Sequence, residues 1–202
     1  MYKSVVFDYG NVLCSIDRDS FVLKASRHSR LSGGAIRDAL WGGNLETEYE
    51  SGKYDSREYF ALAREAACLE ESYSFEQFVE DYRHIIQPNP DGEAGLVAAK
   101  NLGARTFVLS NTAFIHAREL FSNEILASVP ELHILSYKVG VMKPDPLIWR
   151  KLLEYTGLDP HDCLYIDDVP DYCEAARALG FGIFCYDMQI HHLAGIVQDA
   201  LA

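Results

Sequence analysis

The chain has 202 residues, 49% of them apolar and 24% charged, with a formal net charge of −12. That is room for one domain and a smaller appendage. The acidic balance excludes the basic face that a nucleic acid or an anionic membrane needs, but leaves open a small anionic substrate, which a few local cations can hold. Cys14, Cys68, Cys163, Cys173 and Cys185 are scattered, odd in number and without a C-x-x-C pair, which suits a reducing compartment. No run approaches the ~18 apolar residues of a membrane span, and a cytoplasmic protein is expected.

The first predicted element is a buried strand over residues 4–8, closed by Asp8 and a Gly10-Asn11 turn that needs unusual backbone angles. From Ser15 to Gln87 no strand is expected and the texture is helical. Asp17 and Asp19-Ser20 cap a helix through Phe21, Val22 and Leu23, which Gly33-Gly34 breaks. A short piece runs from Ala35 to Trp41. Ser56 and Ser74 have the look of N-caps of two further helices. Trp41, Tyr49, Tyr54 and Tyr59 either line a pocket under this insert or form its core.

After Pro88-Asn89-Pro90 the pattern alternates. Helix is expected over 93–102 with Gly103 as its stop, strand over 106–109, helix over 114–121 and a short strand over 133–135. Helix then follows from Pro144-Asp145-Pro146 to Gly157, strand over 163–166, and helix from Pro170 to Gly180. A last strand covers 181–185 and a last helix 191–201. Repeated β-then-α units imply an α/β fold: a Rossmann-like parallel sheet with helices on both faces, residues 1–14 and 88–202, carrying an inserted all-helical unit over 15–87.

Polar residues stand at the ends of these strands and loops: Asp8, Ser110-Asn111, Lys143 and Asp167-Asp168. In a parallel sheet such ends converge on one edge. Two carboxylates suit Mg²⁺, which takes oxygen ligands. A hydroxyl, main-chain N–H groups and a lysine suit phosphate oxygens, and a carboxylate can act as nucleophile. His191-His192 offers no metal pair, because adjacent helical residues point apart.

Four segments, in order, resemble the motifs of the haloacid dehalogenase superfamily of hydrolases, in the branch with a helical cap after the first strand. They are Phe7-Asp8-Tyr9-Gly10-Asn11-Val12-Leu13, Leu109-Ser110-Asn111, Lys143-Pro144-Asp145-Pro146 and Ile166-Asp167-Asp168 with Glu174-Ala175-Ala176 and Leu179-Gly180. Within the superfamily the chain is most similar to small sugar-phosphate phosphatases such as the bacterial α-glucose-1-phosphatase group. The stretch Glu50-Ser51-Gly52-Lys53-Tyr54-Asp55-Ser56-Arg57-Glu58-Tyr59-Phe60 shares in that likeness. The resemblance implies a Mg²⁺-dependent phosphatase working on a small phosphorylated metabolite through an aspartyl-phosphate. Asp8 would be nucleophile and metal ligand, and Gly10 would give the metal a carbonyl. Ser110 and Asn111 would bind the transferring phosphoryl group. Lys143 would neutralise Asp8 and the phosphate, and Asp168, with Asp167 beside it, would complete the metal site.

Two positions depart from the family pattern. Gly10 stands where most of these phosphatases carry an Asp that protonates the leaving group, and Tyr172 stands where Asp or Asn is usual. A substitute acid can be water, the substrate, or a residue of the helical insert such as Glu48 or Glu50. The same departures admit a slow or inactive member that binds a phosphorylated ligand or a protein partner. Dehalogenation by the same Asp is a third reading, which the Asp167-Asp168 pair disfavours.

Overall fold

Strand β1, Ser4–Phe7, is buried along its whole length, and the sheet grows outward from it in both directions. The structure, a computed structural model, describes residues 1–202. The chain leaves β1 through strand β2, Cys14–Ile16, and enters a helical layer: α1 (Arg18–Ala25), α2 (Gly33–Trp41), α3 (Leu45–Glu50), α4 (Ser56–Ala66) and α5 (Phe75–Arg83). It returns through β3, Ile86–Pro88. Then come α6 (Pro90–Asn101), β4 (Arg105–Ser110), α7 (Phe114–Ser122), α8 (Glu124–Ser128), β5 (Leu132–Leu135), α9 (Ser136–Val139) and α10 (Leu147–Thr156). The chain closes with β6 (Cys163–Asp167), α11 (Pro170–Arg177), β7 (Gly182–Cys185) and α12 (Leu193–Leu201). No helix is long and apolar enough to cross a membrane.

The main sheet has the order β5-β4-β1-β6-β7 and is parallel throughout. In register, Val6 faces Phe107 on one side and Tyr165 on the other. Successive side chains of a strand point to opposite faces. Val5 and Phe7 therefore pack into an apolar cluster with Leu96, Ala99, Leu193 and Val197 of α6 and α12. Val6 turns to the other face, with Ile148, Trp149, Leu152 and Ala176 of α10 and α11. Because the order runs away from β1 in both directions, the carboxyl ends of β1, β4 and β6 open on a shared crevice.

Several local expectations are corrected. Residues 15–87 do contain strand at both limits: β2 and β3 pair antiparallel, Ile16 opposite Ile86 and Cys14 opposite Pro88. Three-residue strands are too short to show a period of two. Gly33-Gly34 does not break a helix but begins one, since Ser32 caps α2 by accepting the Ala35 N–H at 3.3 Å. The cap of α4 is Asp55, one residue before Ser56, in a capping box with Glu58. Asp17, not Asp19, caps α1. The short helices α3, α8 and α9 were not anticipated, because four to six residues give no helical period to read.

The helical layer has its own apolar cluster. Phe21, Tyr49, Tyr59, Phe78 and Tyr82 are fully or almost fully buried in it, and the Tyr49 and Tyr59 rings stack at 4.1 Å. The cluster continues into Ala113 and Ile115, so the layer is seated on the start of α7. Tyr49 and Tyr59 are therefore core, and Trp41 packs edge-on against Phe21 at 5.9 Å.

Candidate active site

β1 runs out into Asp8, whose N–H donates to the Ile166 carbonyl at 2.8 Å and so extends the ladder to β6 by one bond. The Asp8 carboxylate is 6% exposed. The Lys143 ammonium, equally buried, lies 2.7 Å from Asp8 Oδ1 and 2.7 Å from Asp167 Oδ2. Lys143 sits in the loop between α9 and α10, and Asn111, just past β4, holds that loop. Asn111 Oδ1 accepts the Lys143 N–H at 2.8 Å and its Nδ2 donates to the Lys143 carbonyl at 2.9 Å. The amide of Asn111 thus pins the main chain of Lys143, and its Nδ2 also donates to the Tyr172 hydroxyl at 3.4 Å.

Asp167, at the end of β6, is fully engaged. Its Oδ2 meets Lys143 and the Tyr165 hydroxyl, and its Oδ1 accepts the Val169 N–H at 2.8 Å. Asp168 is half-buried and accepts one bond, from Asn11 Nδ2 at 3.0 Å. The expected unusual backbone angle falls on Asn11, at φ 53°, rather than on Gly10. Asn tolerates that left-handed region better than most residues. Ser110 is buried at the end of β4, its hydroxyl directed to the Asn111 carbonyl at 3.2 Å.

Carboxylate oxygens of Asp8, Asp167 and Asp168 all lie within 4.8 Å of one another, and only one ammonium is inserted among them. Burial, with Asp167 and Asp168 adding to it, pushes Asp8 up to about 7 against the pull of Lys143. Burial likewise raises Asp168. Burial works against the Lys143 charge, but Asp8 and Asp167 outweigh it and hold the ammonium above its ordinary value. The site is short of positive charge. Asp8 Oδ1 touches Lys143 off-line and has no aligned donor of its own, an arrangement costly to bury unless a cation completes it. The carboxylates of Asp8, Asp167 and Asp168 fit a hard divalent cation with oxygen ligands, and Gly10 lines the same cavity. Asp167 stands in the same carboxylate group and also holds Lys143.

A cavity of about 370 Å³ opens over this cluster. Asp8, Gly10, Asn111, Lys143, Asp168 and Tyr172 line it from the sheet edge, and Ile16, Arg18, Thr47 and Glu50 from the ribbon and the helical layer. Tyr172 lays its ring 5.0 Å from the Lys143 ammonium. Neither Ser110 nor the aromatic group Trp41, Tyr49, Tyr54 and Tyr59 lines this cavity. Of the two glutamates singled out in the sequence, Glu48 is tied to Lys53 at 2.7 Å and Tyr54 at 2.8 Å, while Glu50 faces the cavity. Sequence reasoning missed Asn11, Arg18 and Tyr165. Asn11 carried a signal, its tolerance of a left-handed turn beside Gly10. Tyr165 reads as one more core residue of an apolar strand, and Arg18 as a helix-end charge.

A profile of haloacid dehalogenase-like hydrolases matches residues 2–180. The chain belongs to that family. Phosphatase MT3486 of Mycobacterium tuberculosis is 27% identical over 98% of this chain and 93% of its own length. D-ribitol-5-phosphate phosphatase of Bacteroides thetaiotaomicron is 25% identical, over 91% of each chain. A solved haloacid dehalogenase family enzyme of the same bacterium, in complex with magnesium and inorganic phosphate, superposes with a TM-score of 0.79 at 21% identity, covering 93% of this chain and 95% of that one. The resemblance read from four short motifs is thereby borne out, as is the parallel Rossmann-like sheet. The Asp8 cluster sits where ligands bind in haloacid dehalogenase-like and other open parallel sheets.

Proposed function

We propose that this hydrolase is a Mg²⁺-dependent phosphatase of a small phosphorylated metabolite, a sugar or polyol phosphate, with residues 15–87 acting as a cap over a core of 1–14 and 88–202. The observation that carries the reading is Asp8, buried at the end of β1 among three carboxylates that share the single Lys143 ammonium. The names of the full-length relatives, phosphatase and D-ribitol-5-phosphate phosphatase, support it.

Asp8, the Gly10 carbonyl and Asp168 would hold Mg²⁺, which supplies the positive charge that three carboxylates and a phosphate lack. The Asp8 carboxylate attacks phosphorus, an aspartyl-phosphate forms, and the bond from phosphorus to the leaving oxygen breaks. Lys143 offsets charge on Asp8 and on the transferring group. Asn111 acts by holding Lys143, and its own N–H meets a phosphate oxygen. Water then cleaves the aspartyl-phosphate and releases inorganic phosphate. Such transfer relies on positioning and charge neutralisation, which is what these residues provide. The helical layer excludes bulk water and selects the substrate.

Phosphate release from a panel of sugar and polyol phosphates, with Mg²⁺ and with chelator, tests the reading. Wild type should release phosphate only with the metal, and Asp8→Asn should lose on the order of 10³-fold or more in kcat. No phosphate from any compound by metal-loaded protein, or chloride release from a 2-haloacid in its place, overturns it.

A further inference from the structure

If Asp8 displaces an alkoxide, that oxygen needs a proton, and the residue two places after the nucleophile has no side chain. A Cβ on Gly10 would stand 2.9 Å from Ile16 Cδ1, the flexible end of a side chain of the ribbon, so the absence of a side chain at Gly10 leaves Ile16 its room. The donor has to come from another wall of the cavity.

We propose that Glu50 is the general acid and base of the reaction, delivered into the Asp8 cavity by the helical layer. This rests on the phosphatase reading above. Glu50 is the last residue of α3, and its main chain is fastened to the sheet edge. The Ser136 hydroxyl meets the Glu50 carbonyl at 2.6 Å and accepts the Thr112 N–H at 2.9 Å. That bond ties the end of α3 to the segment after β4 and to the end of β5. Glu50 lines the same cavity as Asp8, Gly10 and Lys143. Unlike Glu46, which accepts the Tyr82 hydroxyl, and Glu48, which is held by Lys53 and Tyr54, it makes no side-chain hydrogen bond or ion pair. A free carboxyl in the cavity wall is what a proton donor requires.

The surroundings keep a proton on it. Glu46 and the His116 ring each place an atom within 4.8 Å of the Glu50 carboxyl. Burial first, then Glu46, with Asp8 adding and Arg18 and Lys143 opposing, pushes Glu50 up to about 8. His116 stays neutral, its Nε2 buried without a partner. Two carboxylates and an imidazole could also hold a metal, but the Arg18 guanidinium, 3.9 Å from Glu46 Oε2, already supplies the cation. The balance of the reaction is then complete. As the Asp8 oxygen bonds to phosphorus and the P–O bond breaks, Glu50 gives its proton to the departing alkoxide, producing an alcohol and a Glu50 carboxylate. That carboxylate takes a proton from the water whose oxygen attacks the aspartyl-phosphate, which restores the acid and frees Asp8.

The test is the dependence on leaving group: 4-nitrophenyl, phenyl and benzyl phosphate, with wild type, Glu50→Gln and Glu50→Asp, all loaded with Mg²⁺. A positioned general acid contributes roughly 10²–10⁴-fold where the leaving group is basic. Glu50→Gln should therefore lose on the order of 10²–10⁴-fold in kcat/KM on benzyl phosphate but less than about tenfold on 4-nitrophenyl phosphate, whose phenolate leaves without a proton. Glu50→Asp, which keeps the acid, should recover part of the benzyl rate. An equal loss on all three esters, no loss on benzyl phosphate, or Glu50→Asp no better than Glu50→Gln overturns the assignment of Glu50 while leaving the phosphatase reading intact. A wild type inactive on all three and on the sugar and polyol phosphates overturns both.

Discussion

His116 illustrates how a single buried side chain ties the two layers of this protein to solution pH. It lies on α7, 4% exposed, with its ring against Tyr82 of the helical layer at 4.6 Å between centroids. Burial holds its pKa down at about 3, whereas in the unfolded chain it titrates near 6.5. Below about pH 6.5 the unfolded state binds a proton that the folded state refuses, so this contribution to stability falls as pH falls, down to about pH 3. The difference in unfolding free energy between wild type and His116→Asn should shrink by ~1.4 kcal/mol per pH unit between pH 6 and 4. Denaturant titrations of both proteins across that range measure it, and parallel pH profiles would count against the buried neutral state. At this scale the candidate site was legible where a residue carries charge: Asp8, Lys143 and Asp168 stand out as strand-end and loop-end ions, and the structure brings them together. It was not legible where a residue works by geometry. Asn111, expected at the phosphate, also clamps the main chain of Lys143, and the Tyr165 hydroxyl under Asp167 is hidden in an apolar strand.

The elements that place the Asp8 loop can be tested from below. α6 approaches it so closely that a Cβ on Gly92 would fall inside van der Waals distance of the Val12 carbonyl and Leu13 Cα. Asn89, at the start of that helix, donates to the same Val12 carbonyl at 2.8 Å. Both neighbours are backbone and neither can swing away. Gly92→Ala should therefore destabilise the fold by roughly 1–3 kcal/mol, the range for overpacking, and slow turnover by shifting the loop that carries Asp8. Thermal unfolding and steady-state rates together check this, and a variant with wild-type values for both would show that the loop yields freely. The long strands and helices of the parallel sheet were readable because burial on both faces and Gly stops leave strong signals, as at Gly103 and Gly157. The ribbon of β2 and β3 was not, since its pairing joins residues some seventy positions apart and each strand has only three residues.

Over the whole molecule, acidic charge outnumbers basic by twelve, and the most buried part of that excess surrounds Asp8. A ligand bound only by the folded state stabilises it by ~2.7 kcal/mol at 100 times its dissociation constant. For a domain of about this size that is roughly 5–10 °C in melting temperature. Saturating Mg²⁺ should raise the melting temperature of wild type by that amount, and Asp168→Asn should lose most of the rise. Scanning calorimetry with Mg²⁺ and with chelator decides it, and equal shifts in both proteins would remove Asp168 from the metal site. The excursion between Ile16 and Ile86 has one more consequence. It leaves and re-enters the sheet layer through residues that face each other across three paired positions. The chain thus enters and leaves the helical layer through one ribbon, so a change in the layer's length need not alter the connection between any two strands around Asp8. Exchanging that segment with a relative's would move selectivity and proton donor together, leaving nucleophile, lysine and metal carboxylate in place, as a tool head is changed on a fixed handle.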